Sequence, residues 1–92
     1  MRITLEGTGE LKEFIGGEFQ EIDLHDNAVI GDLLPVIDEK WGLIFPPHIW
    51  DKTKQKFRGP VILVVNKMPT RDMNLRLNNG DHIQLVKAMV GG

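Results

Sequence analysis

Hydrophobic and polar positions alternate from the start of the chain. Ile3 and Leu5 point one way and Arg2, Thr4 and Glu6 the other, which predicts a half-buried strand. Gly7, Gly9, Gly16 and Gly17 then punctuate a turn region in which Leu11, Phe14 and Ile15 are expected to pack inward. Alternation returns over 19–24, where Ile22 and Leu24 oppose Glu21 and Asp23, so two strands joined by a longer loop are expected. The period then changes. Ile30, Leu33, Leu34, Ile37 and Trp41 recur at helical spacing, with Asp32, Asp38, Glu39 and Lys40 on the opposite side. A main helix near 29–41 is predicted, with capping side chains from His25, Asp26 and Asn27 and a stop at Gly42 in the left-handed conformation. Pro35 conflicts with a regular helix there, and predicts a kink or a late start.

The connection over 43–60 exceeds the usual range of about 12–15 residues for a structureless loop, so it should have structure of its own. Ile49-Trp50 and Lys56-Phe57-Arg58 are expected to form a short hairpin around 51–55. The run VILVV at 61–65 is nearly all apolar and β-branched, as expected for a strand buried on both faces or held between two neighbours. Leu75 and Leu77 precede Asn78-Asn79-Gly80-Asp81, a strong turn signal, and 82–87 forms the last strand with Ile83 and Leu85 inward.

Strand, strand, helix, strand, short element, strand describes an α+β fold: a mixed sheet of four to five strands with one main helix packed across one face. The first and last strands can pair in parallel at its centre. The expected core includes Ile3, Leu5, Leu24, Leu33, Ile37, Leu63, Val65, Ile83 and Leu85.

Composition narrows the function. At 92 residues the chain fits a single domain spanning 1–92. It has no cysteine, which removes disulfides, cysteine nucleophiles and iron–sulfur ligation and suits a reducing cytoplasm. No segment approaches the ~18–20 apolar residues of a membrane span, and the first residues carry no secretory pattern. A formal charge of −2 argues against a nucleic-acid binder. His25, His48 and His82 lack metal-ligand spacing, so no metal is expected. The acidic residues around the helix form no catalytic pair, and read as capping and a wet face. Lys52, Lys54, Lys56 and Arg58 read first as a solvated hairpin and second as a surface for an acidic partner.

The last strand is followed by Ala88-Met89-Val90 and then Gly91-Gly92. A terminal carboxylate, with a reference pKa of about 3.3–3.7, is ionised at neutral pH and is a poor electrophile. It must be activated, for example as an acyl-adenylate, inside another protein's active site. Glycine has no Cβ, so a Gly-Gly end can thread a narrow channel. Residues 88–92 reach roughly 17 Å at ~3.3–3.6 Å each, enough to leave the domain, and are expected to be a flexible tail.

Four stretches carry a family resemblance. AVIGDLL at 28–34, VILVVN at 61–66, LNNGDHIQLV at 77–86 and the final Gly91-Gly92 resemble the MoaD/ThiS sulfur carriers, which include the small subunit of molybdopterin synthase and the thiamine-pathway carrier. The insert at 51–58 is similar to that of the family's longer members. The turn after the central strand departs from the pattern, reading Val65-Asn66-Lys67 where the family usually has a glycine after the Val-Asn pair. The resemblance implies a ubiquitin-like β-grasp. It also implies a ubiquitin-activating-enzyme-like adenylyltransferase that uses ATP and magnesium to convert the Gly92 carboxylate to a thiocarboxylate, with Gly91 needed for threading.

The chain is thus expected to be a carrier and cosubstrate, not an enzyme. It would bind no cofactor itself and would pass sulfur to a synthase subunit. Length and insert favour a molybdopterin or tungstopterin role over a thiamine role. A ubiquitin-like modifier conjugated through Gly92 and a passive β-grasp module are the alternatives. Met89 and Val90 are expected to belong to an apolar partner-binding patch on the sheet face near the tail. Trp50 and Phe57 either join that patch or anchor the long connection to the core.

Overall fold

A computed structural model describes residues 1–17 and 19–88. In chain order the elements are β1 (Arg2–Gly7), α1 (Glu10–Phe14), β2 (Phe19–Asp23), α2 (Ile30–Trp41), β3 (Trp50–Asp51), β4 (Lys56–Phe57), β5 (Val61–Val65), β6 (Met68–Thr70) and β7 (His82–Lys87). Five strands form one mixed sheet in the order β2-β1-β7-β5-β6, while β3 and β4 pair separately. The predicted central pairing is present: β1 and β7 run parallel, with Leu5 opposite Ile83. On its other side β7 pairs antiparallel with β5, Leu85 opposite Leu63.

Alternation sets which face is covered. Ile3, Leu5, Leu63, Val65, Ile83 and Leu85 are buried on one face of the sheet, and α2 buries Ile30, Leu33, Ile37 and Trp41. All nine residues expected in the core are buried. Fully burying such a side chain is worth about 1.5–3 kcal/mol, so this layer is the main source of stability. The run 61–65 is not buried on both faces. Val61, Leu63 and Val65 are buried while Ile62 and Val64 are only half-buried, so β5 is a strand held between two neighbours.

The start of α2 differs from expectation. No side chain of 25–27 caps it; Val29 is the flanking residue. Its amide donates to Asp32 Oδ2 at 2.8 Å, and the amides of Ile30 and Gly31 donate to the carbonyls of Leu75 and Met73. The orphan donors of the first turn are therefore met by a distant backbone segment. Pro35 lies in the second turn of an unbroken helix, on its exposed side, where a lost amide bond is least damaging. Gly42 is in the right-handed, not the left-handed, conformation. Its glycine has another cause: a Cβ there would collide with the carbonyl and carboxylate of Asp38.

That same carboxylate fastens the long connection. Asp38 accepts from Trp50 Nε1 at 2.8 Å, from Lys52 Nζ and from Gln55 Nε2. The predicted hairpin is present, with Trp50 opposite Phe57. Phe45, Trp50 and Phe57 pack ring against ring, Trp50 and Phe57 edge-on at 4.7 Å. Trp50 is 2% exposed, so it anchors the connection and offers no surface to a partner; Phe57 is half-buried.

The departure at Asn66-Lys67 is also resolved. Both residues have positive φ, 48° and 72°, in the two-residue turn joining β5 to β6. Two-residue hairpins of this kind need positive φ at both central positions, and asparagine tolerates it well. The Asn66 side chain is then held twice, donating to Asp81 Oδ1 and accepting from the His82 amide.

Candidate functional site

The site begins where β7 ends. Met89, Val90, Gly91 and Gly92, singled out from the sequence, lie outside the described residues, as does most of the tail assigned to 88–92. What the structure defines is the end of β7 that precedes them.

That end is fastened on both sides. The Ala88 amide donates to the Pro60 carbonyl at 2.6 Å, which extends the pairing with β5 one residue beyond β7. On the β1 side, the Thr8 amide and hydroxyl both donate to the Leu85 carbonyl. Lys87 Nζ donates to Glu10 Oε1 at 2.6 Å, and this contact holds the Glu10 carboxyl below the usual carboxylate range. Both Thr8 and Glu10 are placed by α1, a short helix that the sequence showed only as a glycine-rich turn. Gly7 allows it: a Cβ there would run into the backbone of Leu11 and Lys12. Leu11 and Ile15 are buried beneath it, as expected.

The face of the sheet away from α2 is apolar around β5 and mostly polar toward β2, where exposed Phe19 packs on His82. Ile62 stands opposite Val86, and Val64 opposite Gln84. These three aliphatic side chains are half-buried, Ile62 and Val86 toward the Ala88 end of the sheet and Val64 level with Gln84. Next come Glu6 and Gln84, joined by a hydrogen bond of 3.0 Å, then Thr4 and His82. At the far edge Arg2 pairs with Asp23 and Glu21 in solvent. The apolar residues on this face nearest Ala88 are Ile62, Val64 and Val86, not named from the sequence as partner-binding, whereas Met89 and Val90, which were, lie outside the described residues. The signal for Ile62 and Val64 was present: once Val61, Leu63 and Val65 fill the core face, the two remaining apolar residues of 61–65 must face outward.

Among the described residues, no three His, Asp or Glu side chains cluster as metal ligands would, and no helix is long and apolar enough to cross a membrane.

A parallel β1–β7 centre, a crossing helix and two flanking hairpins make this a ubiquitin-like β-grasp protein. Proteins of that fold are among its structural neighbours. The chain superposes on SAMP1 of Haloferax volcanii with a TM-score of 0.79, at 16% identity and covering 100% of both chains. A putative molybdopterin converting factor subunit 1 from Pyrococcus furiosus matches with a TM-score of 0.74 at 17% identity, covering 97% of this chain and 99% of that one. The complex of subunits 1 and 2 of the molybdopterin-converting factor from Helicobacter pylori provides a match with a TM-score of 0.65 at 23% identity, covering 100% of each chain. No protein-family model and no curated protein matches the sequence.

Proposed function

We propose that this chain is a sulfur carrier that works through the carboxylate of Gly92. The observation that carries the reading is the union of a β-grasp core with a pinned exit for the tail. Ala88, Leu85 and Lys87 are each fixed to a neighbouring element, and an apolar patch lies beside them. Such a base aims a short tail reproducibly and gives a partner a surface to grip.

The chemistry is carboxyl activation. An adenylyltransferase of the ubiquitin-activating type binds ATP and magnesium. The Gly92 carboxylate attacks the α-phosphorus, pyrophosphate leaves, and an acyl-adenylate forms. A persulfide sulfur on a donor protein then displaces AMP, and a thiol cleaves the resulting acyl disulfide to leave a thiocarboxylate. The chain's own residues supply the substrate and its placement, not the catalysis. Gly91 and Gly92 thread the active site, and the partner that grips Ile62, Val64 and Val86 also contacts Met89 and Val90. Resemblance to a molybdopterin-converting subunit supports a pterin-synthase acceptor over a thiamine one.

The test is direct. Incubated with a cognate activating enzyme, ATP, magnesium and a persulfide donor, the protein should gain mass equal to the difference between sulfur and oxygen, located at Gly92. Deleting Gly92 moves the carboxylate back by ~3.3–3.6 Å and should nearly abolish charging without lowering thermal stability. Full charging of the deleted protein would refute the reading.

A second reading, a protein modifier joined to lysine amines through Gly92, is favoured by the likeness to a small archaeal modifier protein. It predicts isopeptide-linked adducts in place of a free thiocarboxylate, and intact-mass analysis separates the two.

A further inference from the structure

Around the open edge of β5 from the tail lies a groove of about 280 Å³. β6 covers β5 only from Leu63 to Val65, so the groove takes the place of a partner strand beside Val61 and Ile62. Leu34 of α2, Phe57 of the hairpin, Leu63 and Met73 line it with apolar surface, while Lys56 and Arg71 stand at its rim. Lys52, Lys87, Arg2 and Arg58 each have a carboxylate partner, whereas Lys56 and Arg71, like Lys40, Lys54, Lys67 and Arg76, form no ion pair with any described residue and leave their charge available at the groove. Two positive charges with no ion-pair partner among the described residues thus line an apolar trough on a chain whose net charge is −2.

We propose that this groove is a second docking site for the partner that handles the tail, and that it takes an acidic segment of that partner carrying one large apolar side chain. The proposal rests on the carrier reading and adds the chemistry of the partner. Three observations choose the occupant. The volume falls below the ~300–1,000 Å³ of small-molecule sites and suits one or two side chains. The rim charge complements carboxylates, which adds specificity and rate of encounter. Position completes the case: Ile62 belongs both to the groove and to the patch beside Val86, and Val61 pairs with Lys87 at the tail's base. A partner seated on the outer sheet face thus reaches the groove by turning around a single strand. Backbone strand addition is not the driving force, because the Val61 amide is already bonded to the Arg58 carbonyl at 3.0 Å.

The probe is an acetylated and amidated hexapeptide, Asp-Leu-Glu-Phe-Glu-Asp, titrated into the full-length labelled protein at low salt and followed by amide and methyl NMR. Its control has lysine at every acidic position. The acidic peptide should shift signals of Leu34, Phe57, Arg71 and Met73, weaken as salt rises, and lose about tenfold in affinity to Lys56→Glu/Arg71→Glu. Both substituted side chains are exposed, so the variant should keep its melting temperature. Equal binding of both peptides, equal binding to the variant, or shifts confined to Val64 and Val86 would overturn the proposal. So would markedly tighter binding to a protein truncated after Ala88, because the groove's occupant would then be the chain's own C-terminal segment. Deleting Gly92 should leave peptide binding unchanged while abolishing sulfur charging. Peptide binding without charging in the intact protein therefore sinks the carrier reading alone, and charging without peptide binding sinks the groove alone.

Discussion

Lys87, the last residue of β7, donates a hydrogen bond to Glu10, the first residue of α1, at 2.6 Å. The contact adds an exposed tie between the end of β7 and a helix that Leu11 already anchors in the core. Glu10 is held below its ordinary value first by this hydrogen bond and then by the charge of Lys87. A carboxyl with a lowered folded pKa contributes stability that is complete above the unfolded value of about 4.3 and is lost as pH falls through the folded one. No pH dependence from this pair is expected between pH 6 and 8 (roughly two units or more above that value). A carboxyl-detected NMR titration should place Glu10 below a free glutamate, and Lys87→Met should return it upward. An unmoved Glu10 in that variant would show that the pair is not formed in solution.

Asp81 is the one charged side chain buried among the described residues. Its carboxylate accepts from the Asn78 amide at 2.8 Å and from the Asn66 side chain at 2.9 Å, joining the turn before β7 to the turn after β5. Asp81→Ala strands both donors and should destabilise the fold by about 1–3 kcal/mol, read as a shift of the urea midpoint. Asp81→Asn keeps one acceptor and should lose less.

Gly7→Ala tests whether α1 is packed as tightly as it looks. The added methyl meets the backbone of Leu11 and Lys12, which cannot rotate away as a side chain would. A loss of about 1–3 kcal/mol is expected, with exchange protection falling first in α1. A neutral effect would mean that α1 shifts freely.

Val86→Asp and Ile62→Asp place a charge in the apolar patch. Both positions are half-buried and off the main core. Each variant should fold, yet transfer from Gly92 should fall at least about tenfold, the loss expected when a central apolar contact is replaced by an unpaired charge. Glu21→Ala, at the charged far edge of the same face, should transfer normally. If all three behave alike, the patch is not where partners dock.

Much of the fold could be read because the decisive signals are local. Ile3 and Leu5 announce β1, Ile83 and Leu85 announce β7, and the spacing from Ile30 to Trp41 announces α2. The errors came where a distant group decides. Asp26 and Asn27 look like better caps than Val29, but the carbonyls of Met73 and Leu75, more than forty positions away, already serve the first turn. Gly42 looked like a left-handed stop, yet its real constraint is the Asp38 carboxylate that turns toward Trp50. Trp50 could have faced a partner or the core, and only the closure of the hairpin on Asp38 decides between them. α1 spans barely more than one turn among glycines, too short for any period to emerge. The functional base was legible only in part. Thr8, Glu10 and Pro60, which hold the end of β7, are unremarkable residues until the fold brings them together.

The central position of β7 also decides what happens when something pulls. Load applied through the tail runs along β7, whose hydrogen bonds to β1 and β5 lie across that direction on both sides. The two ladders are sheared together and cannot be opened one bond at a time. On the proposed carrier reading, a partner that drew on the residues after Ala88 would load both ladders at once, and the body behind them would hold its shape.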